Sequence, residues 1–263
     1  MDDSDVARYA RHILLPEIGG AGQARIRKAR VLVVGAGGLG SPCILYLAAA
    51  GVGTIGIVDD DAVDLSNLQR QIAHTTGRVG MAKTESAART VHELNPGVVV
   101  EQHAMRLDTA NAMDLISRYD IVADGSDNFA TRFLVNDTCY FAKKILVSAA
   151  ILRFDGQLST FKAHLHGSHP CYRCLFPEAP PPDAVPTCAE VGVLGAMCGM
   201  MGSLQAAEVI KEITGAGQTM SGRLLIVDGL ATQFRTVKVR PDPDCALCGE
   251  KATITEPERI EAG

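Results

Sequence analysis

The sequence lacks an apolar run long enough to cross a bilayer as a helix. Its longest, VGVLGAMCGMMG at 191–202, is short and interrupted by glycine, whereas a spanning helix needs about 20 apolar residues. It also lacks a basic excess. The formal charge is -5, so nothing draws the whole chain to nucleic acid or to an anionic membrane. The amino-terminal MDDSDVARYARH opens on acids and has no basic-then-apolar signal layout. No internal repeat and no clean domain boundary is present. These absences predict a cytoplasmic protein with neither nucleic acid nor membrane as partner. In that reducing compartment the eight cysteines are expected to serve a metal or a reaction rather than disulfides.

What the chain does have is ordinary globular material, 47% hydrophobic and 21% charged over 263 residues, enough for a substantial core. Ser4 is a plausible cap for a helix over 4–28, with Val6, Tyr9, Ala10, Ile13 and Leu14 at helical spacing. Strands follow at 30–34, 54–59, 98–105, within 119–127 and at 144–151. Helices at 41–50, 82–94, 109–117 and 129–142 alternate with them. That rhythm predicts an α/β fold with a doubly wound, mostly parallel, Rossmann-like sheet. Beyond residue 150 it changes. ILRFDGQLSTFKAH reads as an antiparallel hairpin turning at Asp155-Gly156. A proline-rich loop at 177–188, a helix at 195–214 and a strand pair around 223–239 complete an antiparallel carboxyl-terminal extension. One domain is expected: an arm over 1–29, a nucleotide-binding half over 30–150, a second half over 151–248 and a polar tail over 249–263.

The stretch RVLVVGAGGLGS (30–41) is a strand, a glycine turn and a helix start. Glycines at 35, 37, 38 and 40 let the backbone approach a phosphate that faces the helix amino terminus. Asp59 ends the next strand, where a carboxylate can accept from a ribose hydroxyl; Asp61 follows it on the same edge. This says adenine nucleotide without saying which. Asn67, Arg70, Gln71 and Lys83 add donors after that strand. A dinucleotide is already served by the glycine backbone, whereas a triphosphate needs cations as it binds and again as pyrophosphate departs. Asp127, after the fourth strand, is the candidate ligand for Mg2+, which takes oxygen donors and bridges to phosphate. Asp124, on the same edge, is as open to capping a turn as to holding the metal, whereas Asn128 reads mainly as a cap residue and is also kept among the nucleotide contacts.

Cys171-x-x-Cys174 and Cys245-x-x-Cys248 form two matched pairs. Four thiolates suit Zn2+ in a closed structural site, which would pin the end of the chain to its middle. Cys188 closes the proline-rich loop with no second cysteine at metal spacing. An ordinary thiol there is little ionised at neutral pH. Cys43, Cys139 and Cys198 lie in apolar helical surroundings and read as core.

RYARHILLP (8–16), VVGAGGLGS (33–41), VDLSNLQRQ (63–71), GMAKTESA (80–87) and DGSDNFATR (124–132) together resemble the MoeB/ThiF-type adenylyltransferases of the ubiquitin-activating-enzyme-like family. The resemblance runs from about Arg8 to Cys248. It implies ATP-dependent adenylation of the carboxyl-terminal glycine of a ubiquitin-like sulfur carrier of MoaD or ThiS type, ending in Gly-Gly. It also implies that Asp59 holds the ribose, that Asn67, Arg70 and Lys83 hold the phosphates, that Asp127 engages Mg2+ and that Arg11 reaches the triphosphate across a homodimer interface. In the ThiF branch a cysteine at the Cys188 motif joins covalently to the carrier; in the MoeB branch adenylation does not need it, and both remain open for Cys188. No rhodanese-like segment follows the second cysteine pair, so a separate persulfide donor is expected. Molybdopterin, thiamine or another sulfur pathway stays open. Three other readings stand beside this one. They are an NAD-dependent oxidoreductase, for which no acid–base partner is evident, a nucleotide-binding scaffold, and a transfer-RNA-modifying relative, against which the CxxC pairs weigh.

Overall fold

The computed structural model describes residues 2–181 and 188–257. A helical arm comes first, α1 (Asp3–Ile13) and α2 (Gly19–Lys28). The single helix expected over 4–28 is broken at 14–18, around Pro16, whose ring removes a backbone donor and disfavours helix in the residue before it. Asp2, not Ser4, caps α1. Its side chain accepts from the Asp5 amide while that of Asp5 accepts from the Asp2 amide, a reciprocal capping box.

Then β1 (Arg30–Val34), α3 (Gly40–Ala50), β2 (Thr54–Val58), α4 (Lys83–Leu94), β3 (Val99–His103), α5 (Ala112–Ser117), β4 (Ile121–Asp124), α6 (Phe129–Phe141) and β5 (Ile145–Leu152) alternate as the sequence predicts. β6 (Asp155–Phe161), α7 (Tyr172–Leu175), α8 (Cys188–Val191), α9 (Gly195–Thr214), β7 (Arg223–Asp228) and β8 (Gln233–Lys238) follow. The eight strands lie in the order β3-β2-β1-β4-β5-β6-β7-β8. Pairing is parallel from β3 to β5 and antiparallel from β5 to β8.

The β5–β6 hairpin turns earlier than expected. Leu152 pairs with Asp155, so Arg153-Phe154 forms the turn and Arg153 takes a left-handed φ of 55°. Gly156 lies inside β6 because a β-carbon there would meet the Met201 sulfur. The Asp-Gly pair therefore marks close packing by α9 rather than a turn.

β1, β2 and β4 are almost wholly buried, as strands covered on both faces must be. Val31, Val33, Ile55 and Ile57 pack with Ile44 and Leu47 of α3 and Met201 and Val209 of α9. Their sequence neighbours Leu32, Val34 and Val58, with Val122 of β4, face the other way, onto Leu115 of α5 and Phe133 of α6. Two-residue alternation therefore divides one sheet between two cores. The carboxyl ends of β1, β2 and β4 open together at one edge, where ligands bind in sheets of this kind.

Gly40 begins α3 against β1, and a β-carbon on it would overlap the Gly35 carbonyl. Gly40→Ala should cost about 3 kcal/mol, the upper end of overpacking, measured by urea unfolding. Gly20→Ala, at a helical position with open space around it, should be neutral or stabilising by up to ~1 kcal/mol. Equal effects of the two substitutions would reject this account of Gly40.

Candidate nucleotide site and cysteine centre

The turn after β1 is held by both polar groups of one peptide residue. The Ala36 N–H donates to Asp59 Oδ2 at 2.8 Å, and the Ala36 carbonyl accepts from His74 Nε2 at 2.9 Å. A carbonyl only accepts, so the His74 proton sits on Nε2, and Nδ1 accepts from the Ser86 hydroxyl at 3.0 Å. Gly35 has a φ of +86°, a value that suits glycine. The loop is thereby tied to β2 on one side and to α4 on the other. Nothing in the sequence pattern marked His74, since a lone histidine carries no spacing signal.

Beside this loop lies a cavity of about 340 Å³. Gly35, Gly37, Gly38, Asp59, Asp61, Arg70, Gln71, Lys83, Asp127 and Asn128 all line it, so most of the expected residues are brought together. Gly40 stands behind the loop as a packing residue. Asn67 is not on the wall; its amide donates to the Ser66 hydroxyl at 3.4 Å. Asp124 is fully buried and accepts from the Ser126 amide and the Ser148 hydroxyl. Asn128 caps α6 through the Thr131 amide at 2.9 Å. Both match the turn and cap roles expected of them.

Three further wall residues, Arg106, Ser126 and Arg132, carry chemistry that the sequence reading left unassigned, and Arg106 is exposed. Arg132 is 9% exposed and donates to the Ser126 carbonyl at 2.7 Å. It lies four residues after Asn128, one helical turn along α6, which is the signal that could have placed it. The buried Ser126 hydroxyl and Gln71 Oε1 have no hydrogen-bond partner. Orphaned buried polar atoms on a cavity wall are what a polar ligand would satisfy. Val58, Met105 and Leu107 form an apolar stretch of the same wall, because β3 ends at His103 and frees the loop that the sequence had placed in a strand through 105.

The electrostatics are mixed. Lys83 Nζ lies 2.6 Å from Asp61 Oδ2, and Arg70 donates to the Ser66 carbonyl at 3.2 Å. Burial raises the Asp59 carboxyl above its usual range, against the Lys83 charge and the amides of Ala36 and Asp61.

Arg11 is exposed and does not line the cavity. Its helix is fixed elsewhere. The Asn95 amide donates to the Tyr9 hydroxyl at 2.9 Å, the Tyr9 ring covers Gly51, and Arg8 donates to the Leu94 carbonyl. These are the carboxyl ends of α3 and α4, whose amino ends carry the glycine loop and Lys83. An 11-residue helix such as α3 spans about 16 Å, so Arg11 sits at the far end of the layer from its own cavity.

The four expected cysteines also converge. Sγ atoms lie 3.8 Å apart for Cys171–Cys174, 3.5 Å for Cys171–Cys245 and 3.4 Å for both Cys174–Cys248 and Cys171–Cys248. All four fall within 4.8 Å of one another. A disulfide needs about 2.05 Å, so these are thiols around a common centre. The Cys245 thiol is held well below its ordinary range because its thiolate accepts from Cys171, Cys174 and Cys248.

A profile of the ThiF family matches residues 9–247. The chain belongs to the ThiF family. It is 50% identical over 259 residues to "Adenylyltransferase and sulfurtransferase MOCS3" of Bos taurus, covering 98% of this chain and 56% of that one. It is 52% identical over 240 residues to "Probable adenylyltransferase/sulfurtransferase MoeZ" of Mycobacterium tuberculosis, covering 91% and 61%. It therefore spans little more than half the length of these relatives. A third, "Sulfur carrier protein adenylyltransferase" of Thermus thermophilus, is 48% identical over 260 residues and is covered to 96%. Among solved structures, E. coli MccB with MccA-N7isoASN shares the fold, with a TM-score of 0.80 at 20% identity over 95% of this chain and 76% of that one.

In this ThiF-family chain no helix among the described residues is long and apolar enough to cross a membrane. The side chain of Cys188 and residues 182–187 of the proline-rich loop lie outside the described residues; the Cys188 backbone begins α8. His74 generates a pH prediction. Burial lowers its pKa below 6.5, opposed by the Ala36 bond and assisted by Lys83 and Arg78. The unfolded chain then binds the proton more readily than the folded one, so stability is present above the ordinary value of about 6.5 and falls as pH drops below it. Burial likewise lowers His103, His164 and His169. His74→Gln should therefore flatten, without abolishing, the acid-side loss in urea midpoints measured between about pH 5 and 7.5.

Proposed function

We propose that this chain is an ATP-dependent adenylyltransferase that activates the carboxyl-terminal glycine of a ubiquitin-like sulfur carrier of MoaD or ThiS type and releases pyrophosphate. The observation that carries this reading is a glycine cradle opening onto four basic side chains, Arg70, Lys83, Arg106 and Arg132. A dinucleotide does not need so many cations; a departing pyrophosphate does. The names of the relatives support the same reading. Among the described residues no imidazole or phenol lines the cavity, which leaves an NAD-dependent hydride transfer without the usual acid–base partner.

In the reaction a carboxylate oxygen of the carrier forms a bond to the α-phosphorus, and the α–β phosphoanhydride bond breaks. No general base is required, because the nucleophile is already ionised; positioning and electrostatics carry the rate. The glycine backbone presents amides, Arg70 and Arg132 orient donors, and Asp59 meets the ribose. The exposed Asp127 carboxylate fits Mg2+, which would neutralise phosphate charge. Asn67 would have to turn toward the phosphates from its place beside Ser66.

Arg11 serves the cavity of a second copy, in a homodimer, because its own chain fixes α1 at the wrong end of α3. The carrier is joined by a separate persulfide donor in converting the adenylate to a thiocarboxylate. The cysteine centre fits Zn2+, since a tetrahedral site with Zn–S bonds of ~2.3 Å has sulfurs about 3.8 Å apart. Its role is structural, as no cysteine of the four lines the cavity.

Carrier-dependent exchange of pyrophosphate into ATP tests the reading, with carriers ending in Gly-Gly and with the last glycine removed. Arg70→Ala and Asp127→Ala should each cost about 100-fold or more, while Cys188→Ala keeps exchange because the adenylate precedes thiol chemistry. No exchange with any carrier rejects adenylation. Arg11→Ala and Lys83→Ala should each be inactive alone, yet mixing them should restore about a quarter of the activity, since random dimers give one intact site in half of the molecules. Metal analysis should give one zinc per chain, lost in the Cys171→Ser, Cys245→Ser double variant. Retained zinc would reject the four-cysteine site.

A further inference from the structure

Among the cavity's cations, Lys83 is in a different state from Arg70 and Arg132. Those two donate to carbonyls, of Ser66 at 3.2 Å and Ser126 at 2.7 Å. A carbonyl orients a guanidinium and leaves its charge uncancelled. The Lys83 ammonium instead meets a carboxylate, Asp61 Oδ2, at 2.6 Å. Its side chain is 6% exposed, against 66% for Asp61, so the lysine is desolvated and Asp61 carries the compensating charge.

Asp61 is also fixed in place. Its amide donates to Asp59 Oδ1 at 2.9 Å, its carbonyl accepts the Lys83 amide at 3.0 Å, and Ala62 and Ala82 form an antiparallel bridge beside it. The lysine side chain can turn on its four-carbon stem while the carboxylate stays. A phosphate entering the cavity must therefore take the ammonium from a partner that remains close by.

We propose that Asp61 is a positioning residue that competes with the phosphates for Lys83 and recaptures the ammonium as pyrophosphate leaves, thereby speeding product release. This rests on the adenylation reading above. Competition weakens the hold on ATP and on pyrophosphate alike. Binding substrate and product less tightly costs little when substrate is abundant, whereas a tightly held polyanionic product would limit turnover. A purely structural Asp61, serving only to aim Lys83 at the phosphates, predicts the opposite sign. Its removal would weaken binding.

The test measures binding of pyrophosphate and of ATP, each with Mg2+, by titration calorimetry on the full chain, together with steady-state turnover. Asp61→Asn is nearly isosteric at an exposed position. It should bind pyrophosphate about tenfold tighter, the scale of one charge-assisted hydrogen bond, and should turn over more slowly with stronger pyrophosphate inhibition. In a Lys83→Met background the gain from Asp61→Asn should vanish, because the competition runs through the ammonium. Unchanged or weaker pyrophosphate binding by Asp61→Asn overturns the proposal. So does a gain that persists in full with Lys83→Met, which would be simple removal of a nearby negative charge. A wild-type chain that binds neither ATP nor pyrophosphate would instead reject the adenylation reading itself, so the two failures are distinguishable.

Discussion

The approach of Gly40 to the Gly35 carbonyl is the contact on which the site depends. It lets α3 start directly at the end of β1, with no side chain between helix and strand. Of the intervening loop, Gly37, Gly38 and Leu39 then line the cavity at the amino end of the helix. Ala36 spends its N–H on Asp59 and its carbonyl on His74, so the loop is stitched to β2 and to the segment that precedes α4. That segment also supplies Arg70 and Gln71, and Lys83 opens α4 itself. Backbone geometry at two glycines thus places the cations as well as the cradle. A single β-carbon would disturb all of it.

Much of this was legible in the sequence because it rests on local periodicity. The alternation of apolar residues within β1 and β2 divides into two faces, and the strand–helix rhythm to residue 152 follows from it. The two CxxC pairs were legible for a different reason, since their spacing is itself the signal. What failed was decided mostly by long-range packing, and in one case by the local geometry of a proline. Gly156 looks like half of a turn, yet it is a strand residue kept bare for Met201 on α9. Pro16 broke a helix whose apolar spacing ran through it. His74 gave no pattern of its own, and the signal for Arg132 was its one-turn spacing from Asn128; the importance of both comes from which carbonyl the fold sets beside them. Arg11 is the reverse case. Its motif resembles a family motif, while its own chain places it away from its own cavity.

The cavity brings Asp59, Asp60, Asp61 and Asp127 to the same wall as its basic residues. A site meant only to grip a polyanion gains nothing from those carboxylates, since like charges at short range repel, though Asp60, Asp61 and Asp127 are exposed and water screens them. Their presence makes sense when binding must be reversible and the charge must move. In the proposed reaction Asp59 would meet the sugar and Asp127 a cation, while Asp61 faces the lysine. Net affinity is then a difference between attraction and competition, which favours turnover over retention.

Besides Ile151, Val193 and Cys198, which line the cavity directly, the second half of the chain bears on it through α6. Arg173, inside the Cys171–Cys174 knuckle, donates to both oxygens of the fully buried Asp137 at 2.9 and 2.7 Å. Its guanidinium also lies 4.7 Å over the Phe133 ring. Asn136 accepts from the Tyr172 amide beside it. A buried ion pair repays its desolvation only with such geometry, and both of its anchors are on α6. The first turns of that helix present Asn128, Thr131 and Arg132 to the nucleotide wall. The four cysteines draw residues 171–248 together at the far end of the same helix, so the cysteine centre and the cavity wall share α6 without sharing a residue. Asp137, held by the arginine of the cysteine knuckle, and Arg132, on the cavity wall, thus lie less than two turns apart on one helix, and packing at the first bears on the setting of the second.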